Sequence, residues 1–149
     1  MTRLVITLAF LVSCSGTAKS GATGAGEGAS VPAKKVVLSW GIEKHGEVSD
    51  IFLATTDETG KQVSHPVGSY KGDCTVFTPA PEMNAITGVA CRTGQTGETG
   101  TELHAVVQGG VDVIIVKLAV APGVTPDPMA REEVTRVTVP LGAKIEAGT

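Results

Sequence analysis

The chain has 149 residues, of which 42% are hydrophobic and 18% charged, enough apolar material for one packed domain and too much for wholesale disorder. Aromatic residues make up 3%, and 12 basic against 15 acidic groups leave a formal net charge of −3. Without a basic surface or a row of aromatic faces, the chain has no footprint for phosphate backbones and no platform for stacked bases, which sets nucleic acid aside as a partner.

Residues 1–13, MTRLVITLAFLVS, place Arg3 ahead of an apolar run from Leu4 to Val12. As a helix the run spans about 14 Å at roughly 1.5 Å per residue, against about 30 Å of hydrocarbon. It reads as a signal-peptide core, too short to span a bilayer. The richest later stretch, residues 111–121, contains Asp112 and Lys117 and is also too short. Leu11-Val12-Ser13-Cys14 resembles the lipobox of bacterial lipoproteins, in which a diacylglycerol is attached to the cysteine and the chain is cut just before it. The resemblance covers the export segment alone. It implies that Cys14 becomes the acylated first residue of the mature protein and the membrane contact of an envelope protein. Ser15 stands where family members retained in the inner membrane carry Asp, so the resemblance points to the outer membrane, facing the periplasm or the cell surface. Two or three acyl chains, at about 0.8 kcal/mol per buried methylene, hold where one chain gives marginal binding. Gly16-Thr17-Ala18 keeps a second reading open, because its small-x-small pattern suits ordinary signal peptidase cleavage before Lys19, which would discard Cys14.

Residues 14–33 follow the leader as the lipidated Cys and a tether rich in Gly, Ala and Ser. Such a segment buries too little apolar area to offset ordering. Nineteen residues of flexible chain reach roughly 24 Å, enough to hold a domain near a membrane without pressing it against one.

From residue 34 to 149 the pattern is that of strands. Val36, Leu38, Trp40 and Ile42 alternate with smaller or polar residues, and Ile51 and Leu53 recur after His45-Gly46. Pairing Lys44 with Glu47 across a two-residue turn sets Trp40 opposite Ile51 and Leu38 opposite Leu53. Asp57-Glu58-Thr59-Gly60 is the next turn, with Gly60 suited to a left-handed backbone, and residues 61–68 form a weaker third strand. Gly109-Gly110 predicts a further hairpin, with Leu103, Ala105 and Val107 meeting Ile114, Val116 and Leu118. The outgoing run VDVIIVKLAV is apolar on both faces, as a central strand is. Asp127-Pro128 suits one capped helical turn through Glu133, and a last strand covers about residues 134–141. Seven or eight strands with frequent turn signals predict a single all-β domain, an antiparallel β-sandwich, with a small β-barrel as the second choice.

Cys74 and Cys91 flank the loop at residues 79–84. Pairing them places Val76 opposite Val89 and Thr78 opposite Thr87, one consistent antiparallel register. In an exported chain the expectation is a disulfide, and closing a loop of this length contributes about 3 kcal/mol. A metal pair lacks Cys-x-x-Cys spacing and a nearby His, and a catalytic thiol would leave the other cysteine unexplained.

His45 falls in a turn and His65 precedes Pro66 in a weak strand, both expected at the surface. His104 lies on the less apolar face of its strand between Glu102 and Val106, expected surface-facing and beside Lys117. No two histidines have chelating spacing, and no nucleophile elbow, Ser-x-x-Lys or phosphate loop occurs. Tyr70 with Lys71 suggests a small anion site or simply a polar turn. Asp57 and Glu58 lack an EF-hand frame. Residues 93–101, TGQTGETGT, read as a mobile loop of the kind that meets partners. The sum is a lipid-anchored, non-enzymatic envelope β-domain that binds or assembles with another envelope component, without cofactor or metal. The alternative is a small-ligand binder or small hydrolase whose site is assembled from loops, which requires a concave cavity with convergent polar groups.

Overall fold

The computed structural model describes residues 34–149 other than 95, 96 and 98. The leader, Cys14 and the tether expected over residues 1–33 therefore lie outside the described residues. Among the described residues nine strands follow in order: β1 Lys35–His45, β2 Val48–Asp57, β3 Gln62–Lys71, β4 Asp73–Phe77, β5 Thr87–Thr93, β6 Thr99–Gln108, β7 Asp112–Val120, β8 Glu132–Thr138 and β9 Lys144–Ala147. They form a β-sandwich with a first sheet ordered β3-β2-β1-β9 and a second ordered β4-β5-β6-β7-β8. Among the described residues, no helix is long and apolar enough to cross a membrane.

Alternation builds the core. Leu38, Ile51, Leu53 and Val67 from the first sheet meet Val89, Leu103, Ala105, Val113 and Ile115 from the second, all buried. Half-buried Trp40 ties the layers through its indole N–H, which donates to Thr87 Oγ1 at 3.2 Å. The chain crosses between layers at Gly72, whose backbone (φ 102°) lies so close to strand β5 that a Cβ would sit 2.0 Å from the Arg92 carbonyl oxygen. Only glycine fits such an approach.

Several expectations are corrected by turn geometry. In the first hairpin His45 pairs with Val48, so Trp40 lies opposite Leu53 and Ile42 opposite Ile51. Gly46, at φ 66°, takes the first central position of the turn; placing it second would ask His45 for a positive φ too. The slip is one residue on each strand and leaves the apolar faces intact. The second hairpin closes through three residues, because Gln108 pairs with Asp112 and Ala105 with Ile115. That single extra residue, Val111, turns Val113 and Ile115 toward the core instead of Ile114, Val116 and Leu118. The third strand runs three residues further than expected, to Lys71. β4 ends at Phe77, opposite Gly88, so Thr78 finds no partner in Thr87. No helical turn forms after Asp127; its carboxylate accepts the Met129 N–H at 2.9 Å and the chain enters β8. β9 is an additional strand and pairs in parallel with β1, so one ladder departs from the antiparallel rule.

The disulfide between Cys74 and Cys91 is present, with the two Cα atoms 3.9 Å apart. The pair lies directly across the β4–β5 ladder, with Val76 opposite Val89 as the spacing predicted.

Candidate functional site

Pairing across the second sheet places Phe77, Gly88, His104 and Val116 in one row on its outer face. Thr75, Ala90, Glu102 and Leu118 form the next row. Because Gly88 has no side chain, the Phe77 ring reaches across it to His104, with centroids 5.5 Å apart and planes at 73°, an edge-on contact. His104 is only 1% exposed, and the expected surface-facing histidine is corrected. Its neighbour on β7 is Val116, while Lys117 pairs with Leu103 on the other face and reaches Glu132 at 3.1 Å.

Two loops roof this outer face. Residues 78–86 turn through a short 3-10 helix, Pro81–Met83, that buries Met83. Residues 121–131 bring Pro126 and Pro128 over the same rows. Arg131 joins the loops, donating from Nη1 to the Met83 carbonyl at 2.8 Å and from Nε to the Pro128 carbonyl at 2.6 Å.

Beneath the roof runs a linear polar chain. Arg92 Nη2 donates to Glu102 Oε1 at 2.7 Å, and Glu102 Oε2 accepts from His104 Nε2 at 3.0 Å. A carboxylate only accepts, so Nε2 carries the hydrogen. Among the described residues, His104 Nδ1 and Arg92 Nη1 are buried without a hydrogen-bond partner. Beside the chain lies a cavity of about 350 Å³, walled by Phe77, Met83, Pro126 and Pro128, with Glu102 and His104 also in its lining and Ala80, Glu82 and Thr125 at its exposed rim.

On the far side of Arg92, a second cleft of about 360 Å³ opens around Gly72 between Lys44, Lys71, Glu47 and Asp73. There Lys44 is ion-paired with Asp73. Tyr70 and Lys71 do not converge. Tyr70 is half-buried at the core edge, where burial raises its hydroxyl above the usual range, and Lys71 is exposed.

The other residues singled out from the sequence are dispersed. His45 is exposed, 3.5 Å from Asp50. His65 sits on the edge strand β3, 3.2 Å from Thr55 Oγ1. Asp57 Oδ1 accepts from the Thr59 hydroxyl, the Thr59 N–H and the Lys61 N–H, and the Thr59 hydroxyl bond chiefly holds its carboxyl below the usual range. Glu58 is exposed beside it. Among the described residues, no three acidic, His or Cys side chains gather as a metal cluster. Thr99, Gly100 and Thr101, expected in a loop, begin β6, while residues 95, 96 and 98 of that segment lie outside the description.

Sequence reasoning saw Glu102 and His104 on one strand face and missed their burial. The signal available was the Glu-x-His spacing itself, which aligns two side chains on one face of a strand. No family model, curated protein or solved structure matches this chain.

Proposed function

We propose that this chain is an exported, lipid-anchored, non-enzymatic protein of the bacterial envelope, whose β-sandwich receives another envelope component at the roofed face of its second sheet. The observation that carries the reading is the Arg92–Glu102–His104 chain beside an apolar-walled cavity. Both Glu102 oxygens are engaged within the chain, so its polar groups are held in place beside the apolar walls. Leu11-Val12-Ser13-Cys14 and the tether after it support anchoring, with Cys14 as the acylated residue at the outer membrane. A small hydrolase remains the second reading, because His104 held by Glu102 has the relation of a base to its orienting carboxylate.

Expression of the full chain in a Gram-negative host tests the proposal. The protein is expected in the membrane fraction with an acylated Cys14 at its N-terminus, and Cys14→Ser is expected to lose membrane partition. A mature peptide beginning at Lys19 without acyl mass would overturn the anchor. A photo-crosslinker at Glu82, on the cavity rim, is expected to form an adduct with an envelope protein that the same group at Ser64, in β3, does not form. Equal adducts from both positions would overturn the binding face. Ester turnover lost in His104→Gln would favour the hydrolase.

A further inference from the structure

The edges of the two sheets differ in how they can meet another strand. β3 carries Pro66 and a break in its register with β2, and β8 a break in its register with β7; such interruptions blunt an edge against further pairing. β4 bears one charge, Asp73, already ion-paired with Lys44. β9 has neither proline nor bulge, and its four residues run Lys144, Ile145, Glu146, Ala147. The direction of its backbone groups follows from its bonds. The Lys144 N–H donates to the Lys34 carbonyl at 2.7 Å and the Gly148 N–H to the Leu38 carbonyl at 2.6 Å. Alternate residues of a parallel ladder turn their backbone groups to opposite sides, so Lys144, Glu146 and Gly148 face β1, and Ile145 presents both its N–H and its C=O to the open edge. Among the described residues no strand pairs with that edge. The side chains divide in the same way: Ile145, beside Val36, packs against the core, while Glu146 meets Lys35 and Lys144 on the outer face.

We infer that β9 pairs antiparallel with β9 of a second copy about a two-fold axis at Ile145, joining the first sheets of two molecules into one. Self-complementarity selects the second copy as the occupant. The two-fold sets Ile145 opposite Ile145 on the core side, exchanging both backbone bonds, and sets Lys144 of each copy opposite Glu146 of the other on the outer face. The neighbouring registers that keep the faces in phase oppose Lys144 to Lys144 or Glu146 to Glu146, so charge fixes the register. Val36 pairs with Ile145, so β1 begins close to the axis. The two chains enter the joined sheet about 20 Å apart, near enough to rise from one membrane. An edge of this length buries less than the roughly 800 Å² per partner of a standard interface, which makes the dimer weak, with a Kd on the order of 0.1 mM, and favoured further where chains share a surface. The inference goes beyond the reading of the roofed face, concerns the other sheet, and fails separately from it.

The test compares the full chain carrying Cys14→Ser, ¹⁵N-labelled, at about 10 µM and about 1 mM, following solvent exchange at single amides. The Ile145 N–H is expected to exchange about fourfold more slowly at the higher concentration, while the Gly148 N–H, already bonded to Leu38, keeps its rate. Lys144→Glu and Glu146→Lys each set like charges opposite one another across the axis, and each is expected to sediment as a monomer at the higher concentration. An equimolar mixture of the two is expected to dimerise, because it pairs reversed charge with reversed charge and native with native. An Ile145 rate that does not change with concentration overturns the inference: where fast, the edge stays open, and where slow, the chain's own residues cover it. A mixture that stays monomeric while the slow Gly148 amide shows β9 docked in both variants also overturns it. Exchange at Ile145 in the chain with native β9 decides where Glu146→Lys frees the strand.

Discussion

A methyl group added at Gly88 would lie 2.8 Å from the Leu103 carbonyl oxygen and 2.8 Å from the Phe77 ring. The first contact is backbone and cannot yield without moving β6, and the second is the ring that seals His104 on one side. Gly88→Ala is therefore expected to cost about 1–3 kcal/mol as overpacking, read as a lower urea midpoint, and to displace the Phe77 ring from His104, read as a changed ring-current shift on the imidazole protons. The polar chain next to it makes a sharper comparison. Glu102 is 11% exposed and its partner Arg92 32%, whereas Lys117 and Glu132 form a pair exposed at 41% and 69%. Arg92→Met strands a mostly buried carboxylate and is expected to cost about 1–3 kcal/mol. Glu132→Gln breaks a solvated pair and is expected to cost less than about 1 kcal/mol. Paired urea denaturations check the order, and equal losses would mean that burial of the polar chain contributes little. At this scale the residue types were readable but their environments were not, since nothing local to Glu102 or His104 announces the loops that cover them.

Strand β9 is the element that depends most on charge. It pairs in parallel with β1 over four residues, and Glu146 bridges Lys144 at 2.9 Å and Lys35 at 2.7 Å. Hydrogen bonds from Lys144 and then Lys35 hold the Glu146 carboxyl down to about 2, from an ordinary 4.5. A depressed carboxyl contributes its stabilisation fully above the unfolded value and loses it as the pH falls through the folded one. Between about pH 4.5 and pH 2, amide exchange in β9 is therefore expected to quicken relative to β2, and Glu146→Gln is expected to remove that extra dependence. The hairpins teach a different lesson about legibility. β7 is buried on both faces at Val113, Ile114, Ile115 and Val116, so its hydrophobic pattern allows either register. Turn length decides between them, and the sequence Gly109-Gly110-Val111 does not say whether two or three residues form the tip. In β1 and β2 the slip moves by two in combined register, which preserves the faces, and so the pattern was right where the pairing was not.

For the molecule as a whole, the disulfide closes a separation of 17 residues and fastens the five-residue edge strand β4 to its neighbour β5 in the second sheet. Loop closure of that size is expected to contribute about 3 kcal/mol, so reduction should lower the urea midpoint by the corresponding amount, and a midpoint unmoved by reductant would show that β4 is held by packing alone. The aliphatic core, with Trp40 at its margin, makes such a covalent tie matter more. The sequence by itself determined the all-β class, the turn at Gly60, the crowded centre of β7 and the pairing of Cys74 with Cys91. Each of these follows from period-two alternation, turn residues or short loop closure, which act over neighbouring residues. Only the tertiary structure decided the return of β9 to the first sheet, the register at Val111 and the burial of His104. Those features depend on chain segments far apart in sequence, residues 78–86 and 121–131 above all, closing over a face of the sheet on which β6 by its own alternation turns Glu102 and His104 outward as if toward solvent.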